Sequence, residues 1–374
     1  MRSVNTLSVA VVAFWMVACG QGDGTEPVSS GLRSDALLQM QGNSGLGGRH
    51  VLIADQFNNR VIEVNSQGKI LWHFGVGPSD IAPTSIVGVN DAERVGNLTL
   101  MAGTGVPSGI EPQCPTGCAD NRVIIVNRRG KIVWQYGTFG VTGAGQNQLN
   151  TPVQATSLPN GHILISDQGN ARVIEVNHQH SVVWQYGMTG VPGNSFNQLN
   201  NPNSAELLEN GHILIADENN NRAIEVDRKH NIIAKYTAHG STNGVAFASR
   251  LGNGHTLITD SNNNRIIEVN IHDDSVWAYQ TNTDAGSNVN PLPTRAVRLA
   301  GGTTLISDQF NDRVILVNQG GHIIASFGNI NSPGFGTDNT SAGLNAPYDA
   351  KVIGDFTGLT KPFNDGDHDA DDAR

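Results

Sequence analysis

The residues of this chain best suited to chemistry come in pairs, each standing just before an alanine in a short apolar run. The pairs are Asn90-Asp91 before Ala92, Val153-Gln154 before Ala155, Asn203-Ser204 before Ala205, Gly244-Val245 before Ala246, Thr294-Arg295 before Ala296 and Tyr348-Asp349 before Ala350. They differ from one another while the residues around them repeat, and variation on a repeated scaffold is what a binding site needs. Asn90, Asp91, Gln154, Asn203, Ser204, Arg295, Tyr348 and Asp349 are therefore the candidate ligand-binding set. The Arg295 guanidinium suits a carboxylate, sulfate or phosphate held in a bidentate fork. Asp349 beside Tyr348 suits a cation or sugar hydroxyls. The competing reading is that Arg295 pairs with an acidic neighbour and meets no ligand.

Other polar motifs point to structure. Asp-x-x-Asn-x precedes an arginine five times: Asp55/Asn58, Asp167/Asn170, Asp217/Asn220, Asp260/Asn263 and Asp308/Asn311. Asp accepts turn N–H bonds, Asn tolerates the left-handed conformation and Arg reaches back to the Asp, so recurrence implies a structural turn. The second copy departs, with Gly117 at the Asp position and Asp120 at the Asn position. Cys114 and Cys118 lie in that same turn. A close pair in an exported chain implies a disulfide, here expected to replace the polar turn, because two thiols without further ligands make no metal site. His162, His212 and His255 recur at one turn position on the face away from the candidate pairs, so no converging histidine site is expected. No Gly-x-Ser-x-Gly elbow occurs, and no catalytic residues are assigned.

The elements that must position these residues are strands. Pro152 to Gly187 holds four apolar runs, VQATSL, HILIS, RVIEV and SVVWQY, separated by Pro-Asn-Gly, Asp-Gln-Gly-Asn and Asn-His-Gln-His. Short β-branched runs closed by turn residues read as an antiparallel four-stranded meander. The third run recurs six times, beginning at Arg60, Arg122, Arg172, Arg222, Arg265 and Arg313, at spacings of 43 to 62 residues. Trp72, Trp134, Trp184 and Trp277 share one position in the fourth run, filled by Ala234 and Ala325 in the other two clear copies. A tryptophan repeated once per unit reads as packing between units. With 44 glycines and only 15% charged residues, the composition suits a turn-rich all-β chain. The expected fold is a six-bladed β-propeller of four-stranded blades over residues 47–354. The first copy lacks an innermost strand, and Leu344-Asn-Ala-Pro-Tyr-Asp-Ala-Lys-Val-Ile matches the start of other copies. The C-terminal strand is thus expected to complete the N-terminal blade and shut the ring.

The run from Gly145-Gln-Asn-Gln-Leu-Asn-Thr-Pro to Asn160-Gly-His-Ile-Leu-Ile-Ser-Asp-Gln-Gly-Asn-Ala-Arg-Val-Ile-Glu-Val resembles an NHL repeat. The ending Val-Val-Trp-Gln-Tyr-Gly is also similar to bacterial arylsulfotransferase-type propellers. The likeness covers nearly all of residues 48 to 354 and implies fold, not chemistry. Arylsulfotransferase-like propellers would use channel histidines, and NHL-type amidating lyases would use histidines around a metal. None of the six pairs contains histidine.

Outside the repeats, Leu7 to Ala18 is an apolar run too short to span a bilayer, and Met16-Val-Ala-Cys19 resembles a lipobox. Residues 1–18 are expected to be a signal peptide, Cys19 the lipidated residue, 19–46 a flexible tether and 355–374 an acidic, solvated tail. Export to a bacterial cell envelope, or secretion, follows from that reading. A net charge of −10 argues against nucleic acid as a partner. No cofactor is indicated, although the tail's alternating aspartates suit a loosely held divalent cation. The expected role is a monomeric binding module for a small anionic or sugar-like ligand or a protein partner. The alternatives are a lyase or transferase working around Arg295 and Asp349, and an envelope scaffold. The motifs lean away from an enzyme.

Overall fold

The computed structural model describes residues 46–335 and 343–363. The expected signal peptide, Cys19, the expected tether up to residue 45 and the acidic residues 364–374 lie outside the described residues. The described chain forms six four-stranded antiparallel sheets around a common axis. Each sheet is a blade, numbered here from the N-terminus. The innermost strands of blades 2 to 6 are Val89–Val95, Pro152–Ser157, Pro202–Leu207, Val245–Arg250 and Arg295–Arg298. In blade 1 that place is taken by Pro347–Val352, which pairs with Val51–Asp55 and sets Ala350 opposite Ile53. The ring is therefore closed by the C-terminal strand, as expected. Asn345 ties the joint by donating its N–H to Asp55 at 2.8 Å and accepting the Phe57 N–H at 3.2 Å.

The second and third strands are buried on both faces because each sheet packs between two others. Leu164, Val173 and Tyr186 of blade 3 join Ala205, Ile215 and Ile224 of blade 4 in one cluster, and comparable clusters fill the other junctions. The repeated tryptophans span these junctions. Trp72, Trp134, Trp184 and Trp277 donate their indole N–H to Arg128, His178, Arg228 and Gln319 carbonyls of the following blade at 2.9 to 3.2 Å.

The Asp-x-x-Asn-x-Arg signature is a turn clamp. Asp55 accepts from Asn58 Nδ2 at 2.8 Å and Arg60 Nε at 2.7 Å, and the other four copies repeat the arrangement. Blade 2 corrects one expectation. Arg122 lies opposite Gly103 just as Arg60 lies opposite Asp55, so Gly103, not Gly117, holds the Asp position. A Cβ on Gly103 would fall 2.6 Å from Asp120 Cγ. The bare glycine leaves room for the Asp120 carboxylate, which accepts from Arg122 Nε at 2.5 Å and the Val87 N–H at 2.7 Å. The polar clamp survives, and the Cys114–Cys118 disulfide staples the extension of the hairpin beyond it instead of replacing it.

The expectation of a solvated tail from residue 355 also fails for residues 355–363. Asp355 pairs with Arg49 at 2.8 Å, and Thr360 donates its N–H and hydroxyl to Glu206 at 2.8 and 2.6 Å. The segment is held because it supplies donors to a carboxylate buried in the first strand of blade 4. Removing everything from Leu344 onward should leave blade 1 without its inner strand and broaden or lower the urea unfolding transition. A transition identical to that of the full chain would overturn the closure.

Candidate functional site

The two-residue period of a strand decides which side chains meet at the axis. With the aligned alanine packed between blades, the residues just before and just after it face inward. One ring consists of Asp349, Asp91, Gln154, Ser204, Phe247 and Arg295, taken in blade order. Five of these were expected. In blade 5, however, Val245 pairs with Asp260 and Ala248 with Ile258, matching Pro202 with Asp217 and Ala205 with Ile215. The aligned alanine is therefore Ala248, not Ala246, and Phe247 takes the inward place. Two alanines two residues apart offer both registers, and only the bulge in the paired strand chooses between them.

Side chains of this ring bond to the backbone of the next blade. Asp349 accepts the Ala92 N–H at 3.2 Å, Asp91 accepts that of Ala155 at 3.2 Å, Gln154 accepts that of Ala205 at 2.5 Å and Ser204 accepts that of Ala248 at 3.3 Å. Phe247 and Arg295, which cannot accept, stack on each other with the guanidinium carbon 4.3 Å from the ring centre. Arg295 is 1% exposed and lies 2.9 Å from both Asp91 and Asp349. Its Nη1 has no hydrogen-bond partner. The competing reading of Arg295, pairing with acidic neighbours, is thus the observed one.

A second inward ring lies below, and the sequence reading missed it: Glu93, Glu206 and Lys351 stand two residues beyond the upper positions. The strand period alone would have pointed to them. Lys351 bridges Asp91 at 2.6 Å and Asp349 at 2.7 Å. Burial raises the Asp91 carboxyl, with Lys351 pulling the other way. Burial raises Asp349 too, but Lys351 and Arg295 outweigh it and hold that carboxyl below its ordinary range. Burial pushes Glu93 up to about 8 against the pull of Lys351 and the Ser157 N–H, 2.8 Å away. Glu206 accepts from Gln154 Nε2 at 2.9 Å as well as from Thr360.

Above the upper ring the mouth carries amides, a phenol and one carboxylate. Gln309 donates to Gln56 and Gln56 to Asn90, each at 2.8 Å. Asn203 donates to the Tyr348 hydroxyl at 2.8 Å and to Glu218 at 2.9 Å, where Asn201 and Gln168 also donate. Gln56, Gln168, Glu218 and Gln309 each follow the aspartate of the turn clamp. The structural role of the motif as a whole hides them in the sequence, although this one position varies from blade to blade. Among the described residues no group of three or more His, Cys, Asp or Glu side chains is arranged to hold a metal ion.

No protein-family model matches the chain, and no curated protein sequence does. Among solved structures, a protein of unknown function from Bacteroides caccae superimposes with a TM-score of 0.53 at 14% identity, over 75% of this chain and 93% of that one. Virginiamycin B lyase from Staphylococcus aureus superimposes with a TM-score of 0.48 at 13% identity, over 74% and 83%. At such identities the likeness concerns the fold alone.

Two outcomes follow from the buried cluster. Arg295→Ala should cost about 3–5 kcal/mol, because it leaves two buried carboxylates facing one lysine; a loss too small to detect in urea melts would mean the guanidinium is not their partner. Glu93 holds a proton in the native state where an unfolded carboxyl, near 4.5, does not. Its contribution to stability therefore falls as pH rises from about 4.5 to about 8. Stability measured across that window should decline less steeply in Glu93→Gln than in wild type, and equal slopes would refute the assignment.

Proposed function

We propose that this chain is an exported NHL-like propeller whose funnel mouth binds a small, uncharged, hydroxyl-rich ligand such as a sugar. The observation that carries the reading is the internal use of Arg295. Its guanidinium lies between Asp91, Asp349 and the Phe247 ring, so it does not offer a bidentate fork to an incoming anion. What faces the mouth instead is the set Gln56, Asn90, Asn203, Gln309, Tyr348 and Glu218. Amides and a phenol donate and accept at the same time, which matches the mixed donor and acceptor character of sugar hydroxyls. Glu218, whose carboxyl is raised by burial against the pull of Asn203 and Asn201, adds a further hydrogen-bonding group.

Binding is favoured over catalysis for a related reason. Asp91 and Glu93, the axial carboxyls whose protonation is displaced upward, are engaged with Lys351, Arg295 and backbone N–H groups beneath the mouth. They serve the scaffold there. Export rests on the apolar run Leu7 to Ala18, with Cys19 as the proposed lipidated residue that would hold the ring at a membrane.

A thermal-shift screen of the mature chain against neutral mono- and disaccharides, sulfate and phosphate tests the reading, with Asn203→Ala and Gln309→Ala run beside wild type. A sugar at 100 times its Kd should stabilise by about 2.7 kcal/mol, and both variants should lose the shift. Stabilisation by the anions alone would overturn the assignment of ligand class. No shift with any compound would overturn the small-ligand reading and leave a protein partner.

A further inference from the structure

On the face away from the funnel, four of the six blade junctions are bolted by one ionic device. The glutamate of the third strand accepts from the histidine of the Asn-Gly-His turn, or from His50 in blade 1, and from an arginine of the next blade. At the junction of blades 1 and 2, Glu63 meets His50 at 2.8 Å, Arg94 at 2.8 Å and Arg128 at 2.5 Å. Glu175 meets His162 at 2.6 Å and Arg228. Glu225 meets His212 at 2.7 Å and Arg250 at 2.8 Å, and Glu268 meets His255 at 2.7 Å and Arg298 at 3.1 Å.

The junction of blades 2 and 3 lacks every part of it. Strand register puts Ile125 at the glutamate position and Leu98 at the histidine position. Ser157 and His178 stand where Arg94 and Arg128 stand one junction earlier. Two of the four positions become aliphatic, Ser157 and His178 replace the arginines, and a cavity of about 300 Å³ remains. Trp134 and Phe363, the latter 48% exposed, are both among its lining residues. The junction of blades 6 and 1 has also lost the glutamate, to Leu316, and the arginine, to Val352. There, however, Ala325 replaces the tryptophan and Leu359 packs into the cluster. The same loss of charge was closed at one junction and left open at the other, although an unfilled apolar hole costs stability.

We propose that the cleft between blades 2 and 3 is a binding site for a compact, uncharged aromatic molecule of about two rings. Its volume is roughly twice that of an apolar cavity known to hold benzene. Trp134 and Phe363 offer aromatic faces and edges for stacking. No Asp, Glu, Lys or Arg lines it, and Ser157 and His178 allow about one polar contact at the rim. The site is independent of the funnel.

The test uses 6-propionyl-2-(dimethylamino)naphthalene, an uncharged two-ring probe whose fluorescence rises and shifts to the blue in apolar surroundings, titrated into the mature chain. A saturable one-site rise with quenching of tryptophan emission is expected. Ile125→Glu combined with Ser157→Arg rebuilds the ionic bolt and should weaken binding by roughly ten-fold or more. Should that double variant fail to fold, Leu98→Trp, which fills the cavity with carbon, should produce the same loss. Absence of a saturable rise, or equal binding by a folded cleft variant, would overturn the proposal.

Discussion

The ring depends on the ion cluster at its axis. Asp349 and Lys351 belong to the strand that closes the propeller, Asp91 to the blade on one side and Arg295 to the blade on the other. The last strand is therefore held by charge to both neighbours as well as by its ladder with Val51–Asp55. Four charges out of water would each be expensive alone, and breaking such a set is costly because a bare charge remains. Neutralised within the cluster and supported by the Ala92 and Ala155 N–H groups, they become a fastener that works only when blades 6, 1 and 2 are all in place.

That arrangement consumes the residue best suited to bind an anion. The chemistry left at the mouth comes from side chains in the plane above, supplied by the entry pairs and by the residue after four of the five clamp aspartates. Scaffold and site thus share a motif: Asp55 holds the turn, while the adjacent Gln56 faces the mouth and reaches Asn90. On the opposite face the same economy appears in reverse. A bolt repeated at four junctions is dismantled at the junction of blades 2 and 3, where apolar residues line an open cleft.

The sequence was most legible where a pattern repeated. Six copies of the third run, the clamp aspartates and the orphan strand at Leu344 determined a closed six-bladed ring, because strand period and turn chemistry are local properties that each copy displays again. The departures were harder. Counting back along the atypical loop leads to Gly117, whereas pairing assigns the clamp place to Gly103, and the difference is visible only once the partner strand is opposite it. Ala246 and Ala248 were equally good anchors until the bulge at Val245 set the register.

The sequence by itself determined the blades, their number, the closing strand and most of the axial ring. Tertiary structure decided how those residues are used: that Arg295 faces two carboxylates and a phenylalanine, that Lys351 and Glu93 lie beneath it, and that Thr360 caps Glu206 from the far side of the channel. The contacts of Arg295 with Phe247, Asp349 and Asp91, of Lys351 with Asp91 and of Thr360 with Glu206 join residues 48 to 260 positions apart. Local periodicity says which way a side chain points; only closure of the ring determines what it meets.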